Sequence, residues 1–195
     1  MMPEDRLDRQ LTFLAEIDAL KSVVRQSPLV NRSRRENSAE HSWHLAMFAL
    51  VLSETGPAVD VAKVVTMLLI HDIVEIDAGD APIHGAYDAG ALARAESAAA
   101  ERIFGLLPEP QRGRFLSLWH EFEAAETAEA RFAKALDRLQ PLLLNTLTDG
   151  GTWAENGVTE QTVYETYGST IERGSPVLWS RARALVRRHF AAVQG

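Results

Sequence analysis

His41, the adjacent pair His71-Asp72, and Asp137 all fall inside stretches that are otherwise apolar. The pair closes the run VVTMLLI (64–70) and opens HDIVEIDAGD (71–80), where Glu75, Asp77 and Asp80 follow. An ionised carboxylate on an inward face is costly unless a cation compensates it. Two neutral imidazoles with two carboxylates form a mixed nitrogen and oxygen donor set. That set suits one borderline divalent transition metal, Co, Mn, Fe, Ni or Zn, and not Ca. An octahedral ion so held keeps positions for water and substrate, and makes a water acidic enough to react near neutral pH.

The elements that must position these groups are helical, because the apolar residues recur at three- and four-residue steps with little strand alternation. His41 shares a helix face with Leu45, Phe48 and Leu52; His71 with Val64, Met67 and Leu68; Asp137 with Ala130, Ala133 and Leu144. Leu7, Leu11, Leu14, Ile17 and Leu20 predict a first amphipathic helix near 5–24, followed by the Arg-rich connector RQSPLVNRSRR. Asn37-x-x-Glu40 resembles a capping box for a second helix that Gly56-Pro57 stops. A third, apolar in its centre, spans about 58–75, and a loop runs to about 88. The Ala-rich segment ALARAESAAAERIFGLL, a segment from Pro108 to about 123 and a long one over about 126–148 follow. Two shorter helices cover about 158–172 and 176–193. Pro141 should disturb the long helix, and 150–160 is the best candidate for a soft joint. The expected fold class is all-α, a single bundle of about seven to eight helices over 1–195. Its core is about 10–150 and its C-terminal helical extension about 151–195.

Composition narrows the setting. The 195 residues are 46% hydrophobic, enough for one globular domain. The net charge of −7 repels phosphate backbones, so duplex nucleic acid is not an expected partner. The absence of cysteine excludes disulfides, thiolate zinc sites and cysteine nucleophiles, and fits a cytoplasmic location. No apolar run is long enough to span a bilayer, so no membrane association is expected. MMPEDRLDRQ is too charged for a secretory signal. No Glu-x-x-His pair, His-Glu-x-x-His or Gly-x-x-x-x-Gly-Lys motif is present, which removes di-iron carboxylate, zincin and P-loop readings.

The order His, His-Asp, Asp resembles the HD-domain metal-dependent phosphohydrolases. The strings RRENSAEHSWH (34–44), MLLIHDIVEIDAGD (67–80) and AKALDRLQPLLLN (133–145) resemble their 5′-deoxynucleotidase-like branch, over about residues 10–150. The resemblance implies metal ligation by His41, His71, Asp72 and Asp137, and makes Glu75 the acid/base residue, one turn beyond the pair on the same face. It implies that Asp80 contacts the sugar and that Arg25 orients the phosphate. In the deoxynucleotidases a tryptophan follows that arginine, whereas here Gln26 follows. The implied reaction is hydrolysis of a phosphomonoester, a (deoxy)nucleoside 5′-monophosphate, by a homodimer. The same scaffold also serves (p)ppGpp-type pyrophosphohydrolases and non-catalytic nucleotide-binding regulatory domains. The first of these tend to carry Glu-Asp after the pair, where Ile76 follows Glu75 here. All four ligands and Glu75 are present, so degeneration is not evident.

Other polar residues have plainer readings beside these. Arg25, Arg32, Arg34 and Arg35 form a basic island near the first ligand, from which Arg25 and Arg35 are expected to hold phosphate. Glu40 reads as a cap and His44 as a structural histidine. Trp43 either packs or lines a pocket, and His84, in the loop after Asp80, is a candidate to approach the leaving group. Glu121 and Glu123 end a helix at the mouth of the site or in solvent, and Arg94 and Glu96 read as surface pairs. Asp77 is left without a role.

Overall fold

The computed structural model describes residues 2–193 and is helical almost throughout. Eight helices have ten or more residues: α1 (Pro3–Glu16), α2 (Ser38–Leu52), α3 (Val61–Ile70), α5 (Ala89–Phe104), α6 (Gln111–Ala124), α7 (Ala128–Leu147), α9 (Glu160–Gly174) and α10 (Pro176–Val193). Two short ones, α4 (Glu75–Ala78) and α8 (Gly151–Glu155), complete the series. The all-α expectation holds, with one addition. The Arg-rich connector contains a small antiparallel hairpin, β1 (Val24–Pro28) with β2 (Arg35–Asn37). Neither strand alternates apolar and polar residues, so periodicity gave no sign of it.

The first and third helices are shorter than their apolar spacing suggests. α1 ends at Glu16 and a 3-10 segment, Ile17–Ser22, leads into the hairpin. Its leucines at 7, 11 and 14 face outward, while Phe13 and Leu20 are buried. α1 docks through polar contacts instead: the Arg9 guanidinium donates to the carbonyls of Gly105, Leu106 and Leu107. α3 ends at Ile70, and residues 71–74 wind as a 3-10 turn before α4. Side chains hold that tighter turn. The Leu68 carbonyl accepts the His71 ring N–H at 2.9 Å, and the His71 carbonyl accepts the Trp119 indole N–H at 3.3 Å. Gly79, at φ +78°, reverses the chain after α4, a conformation that only glycine adopts without strain.

α7 is the central helix. Ala130, Phe132, Ala133, Leu136, Leu139 and Leu142 on it pack with Leu45 and Ala49 of α2, Met67 and Leu68 of α3, and Tyr167 and Ile171 of α9. Leu178, Ala182 and Val186 of α10 belong to the same apolar cluster. α9 approaches α7 so closely that a Cβ at Gly174 would lie 2.4 Å from the Arg131 carbonyl oxygen. α7 continues through Pro141, whose missing N–H leaves the Asp137 carbonyl without its helical donor. The segment expected to be a soft joint instead carries α8, whose Trp153 is buried and stacks on Phe190. Phe13, Leu20, Ile70, Ile73, Val74, Ile103, Phe104 and Trp119 form a second cluster. The His71-Asp72 pair lies at the seam between the two, after Met67 and Leu68 of one and beside Ile70 and Ile73 of the other.

Candidate metal centre

Three chain segments meet at that seam. α2 brings His41, the turn after α3 brings His71 and Asp72, and α7 brings Asp137. Donor atoms of His41, His71 and Asp137 all lie within 4.8 Å of one another. His41 Nε2 is 3.1 Å from Asp137 Oδ1 and 3.9 Å from Asp72 Oδ2. His71 Nε2 is 2.9 Å from Asp72 Oδ1 and 3.7 Å from Asp137 Oδ1. The four predicted ligands are thus brought together.

Hydrogen bonds fix which nitrogen each imidazole presents. His71 Nδ1 donates to the Leu68 carbonyl, so Nε2 is the nitrogen that faces the carboxylates. His41 Nδ1 lies 3.1 Å from Gln140 Oε1. The Gln140 amide is oriented by its Nε2, which donates to Glu36 Oε2 at 2.9 Å, so its oxygen must face His41 and accept from Nδ1–H. Both rings therefore turn Nε2 toward carboxylates, and positive charge, on the imidazoles or on a bound ion, must sit among these groups. His71 Nε2 is buried with no hydrogen-bond partner among the described residues. The donor set and this orphaned nitrogen fit a divalent metal ion. Protonation reports the same hunger for positive charge. Burial opposes an imidazolium at His71, yet Asp72 and Asp137 outweigh it and push the group up to about 10.

Arg25, reaching in from β1, is the cation already present. Its guanidinium lies 2.9 Å from Asp72, 3.4 Å from Asp80, 3.5 Å from Glu36 and 3.7 Å from Glu75. Glu75 accepts the Ser38 hydroxyl at 2.5 Å. Burial, and then the charge of Asp72, push its carboxyl up to about 8. Gly79 turns the chain so that Asp80 returns to Arg25. Arg25, His71, Asp72, Glu75, Asp80 and Asp137 line a cavity of about 450 Å³, whose wall also includes Gln26, His84, Glu96, Glu123, Lys134, Arg138 and Tyr167.

Arg35 is not brought to the cavity. Its guanidinium is held on the outer side of the hairpin by Glu155, at 2.9 Å, and by the Gln26 carbonyl. Of the other arginines of the island, Arg32 pairs with Asp149 and Arg34 with Glu40. Glu40 also closes the cap, accepting the Asn37 N–H at 3.2 Å, and His44 reaches the centre only through Gln140. Trp43 is exposed. His84 does line the cavity and lies 3.1 Å from the Tyr167 hydroxyl. Glu96 faces the cavity rather than a surface partner. Asp77 gains a structural role, pairing with Arg102 of α5 at 2.7 Å. Sequence reasoning missed Gln140, Glu36 and Ser38. Gln140 had a readable signal, since it stands three residues after Asp137 in an apolar stretch and so shares its face.

The sequence pattern of the HD domain matches residues 17–179, most of the chain, so the protein belongs to the HD-domain family. Its relatives refine the class. It is 32% identical to human 5′-deoxynucleotidase HDDC2 over 134 residues, 68% of this chain and 65% of that protein's length. It is 29% identical to the Escherichia coli 5′-deoxynucleotidase YfbR over 140 residues, 67% of this chain and 69% of that one. A crystal structure named as a predicted metal-dependent phosphohydrolase from Magnetospirillum magnetotacticum MS-1 superimposes with a TM-score of 0.90. That protein is 52% identical, and the match covers 96% of each chain. The chain spans about two thirds of the length of the human relative.

Proposed function

We propose that the protein is a metal-dependent phosphohydrolase that cleaves a phosphomonoester, a (deoxy)nucleoside 5′-monophosphate, to nucleoside and phosphate. The observation that carries this reading is the meeting of His41, His71 and Asp137 donor atoms within 4.8 Å, beside a cavity lined by His71, Asp137, Glu75 and Arg25. The names of the relatives support the substrate class. A divalent ion held by His41, His71, Asp72 and Asp137 would offset phosphoryl charge and make a water more acidic. Glu75 takes and returns the proton. Its Oε2 is tied to Ser38, which leaves Oε1 toward Arg25 and the cavity. Arg25 orients the phosphate and Asp80 meets the sugar. Gln26, on the same wall, takes the place of a bulkier tryptophan and leaves more room beside the nucleoside.

The test is a screen of purified protein against nucleoside mono- and diphosphates in Co²⁺, Mn²⁺, Fe²⁺, Ni²⁺ and Zn²⁺, reading phosphate and pyrophosphate separately. Phosphate from a monophosphate is the expected product. Asp72→Ala and His71→Ala should lose bound metal and turnover together. Glu75→Gln should keep the metal and lose about 10²–10⁴ in rate. Release of pyrophosphate alone, or a metal-loaded and active Asp72→Ala protein, refutes the reading.

A further inference from the structure

The cavity is rich in acid: Asp72, Glu75, Asp80, Glu96, Glu123 and Asp137 all contribute to its wall. A phosphate dianion entering it needs more compensation than one divalent ion gives, because that ion already faces carboxylates. Of the cavity's permanent cations, two are committed. Arg25 has carboxylate oxygens of Glu36, Asp72, Glu75 and Asp80 between 2.9 and 3.7 Å from its guanidinium. Lys134 is paired with Glu123 at 2.9 Å and lies over the Phe122 ring at 3.9 Å. Arg138 has no ion pair and no side-chain hydrogen bond among the described residues, although it lines the same cavity. Helix geometry puts it there. Lys134, Asp137, Arg138 and Pro141 follow one another at steps of three, one and three, so one stripe of α7 faces the cavity with Asp137 at its middle.

We propose that Arg138 is the uncommitted cation that binds the substrate's phosphate beside the metal centre, and so determines affinity for the anion. The proposal rests on the phosphohydrolase reading for its substrate class, but its geometry does not. A guanidinium one residue along the helix from the ligand Asp137 can reach past it and form a forked pair with phosphate oxygens. Arg25, its charge shared among four carboxylates, orients the phosphate from the near wall, while Arg138 supplies the uncommitted positive charge that this wall lacks.

The experiment uses the full chain loaded with Mn²⁺ and two readouts, steady-state kinetics with a nucleoside 5′-monophosphate and calorimetric binding of inorganic phosphate. Arg138→Gln should raise both KM and the phosphate Kd by about ten- to a hundredfold with metal content unchanged. Arg138→Lys should fall between it and the parent, because charge is kept and the fork is lost. Arg188→Gln, the same charge change on the exposed side of α10, should match the parent. An Arg138→Gln protein that binds phosphate as the parent does overturns the proposal, as does a parent that binds none. Arg138-dependent phosphate binding without turnover of any monophosphate would instead overturn the phosphohydrolase reading and leave this one standing.

Discussion

Gln140 sits between the ligand set and the hairpin, accepting from His41 and donating to Glu36, which in turn faces Arg25. A buried amide with both ends engaged can adopt only one orientation, and that orientation makes His41 Nδ1 a donor and leaves Nε2 to the centre. Gln140→Ala frees the ring to turn or to carry its proton on the wrong nitrogen. Metal affinity should fall about 10–100-fold, measured by competition with a chelator. An unchanged affinity would show that the imidazole needs no such support. At this scale the sequence was readable where one residue type is costly in its setting. His41, His71, Asp72 and Asp137 interrupt apolar faces, and all four converge. Glu36, Ser38 and Arg35 could not be sorted, because their positions depend on a hairpin whose strands lack a period. Arg35 points outward to Glu155, whereas Glu36, its neighbour, points inward and is buried. The pleat alone separates them.

Two of the elements that carry the proposed ligands, α2 and α3, are held at their ends by local chemistry. α2 begins with a reciprocal cap, the Asn37 side chain accepting from the Glu40 N–H at 2.9 Å, one residue before His41. Asn37→Ala should cost about 1 kcal/mol of stability, within about 0.5–2, seen as a lower denaturant midpoint at unchanged slope. No loss would mean that tertiary packing alone sets the start of α2. The cap was legible from its spacing. The break after α3 was not, because an apolar run gives no hint that the Leu68 and His71 carbonyls will be taken by ring N–H groups. That break matters: neighbours on a regular helix point about 100° apart, yet His71 and Asp72 both face the centre.

Across the whole molecule, the two apolar clusters are separate and the centre lies where they touch. Helix number and order were legible, since each cluster is built from faces with a clear helical period. The partnering of faces was not. The stripe of Leu7, Leu11 and Leu14 reads as an inward face but is exposed, because α1 docks through Arg6 and Arg9 on backbone carbonyls near the start of α6. Among the described residues no helix is long and apolar enough to cross a membrane. Imidazole nitrogens and carboxylates converging on one point predict that a bound cation adds to the molecule's stability. An ion present at about a hundredfold over its dissociation constant contributes about 2.7 kcal/mol. Stripping it with a chelator should lower Tm by about 5–10 °C. An unchanged melting curve would mean that the acid cluster is already balanced by Arg25 and protonated imidazoles.

The four proposed ligands come from α2, the turn after α3 and α7, which lie far apart along the chain. An ion held by all three would work as a reversible staple that closes two long loops at once. The occupancy of that ion would then set how often the chain opens to a protease, so proteolytic lifetime should lengthen with added metal and shorten with a chelator.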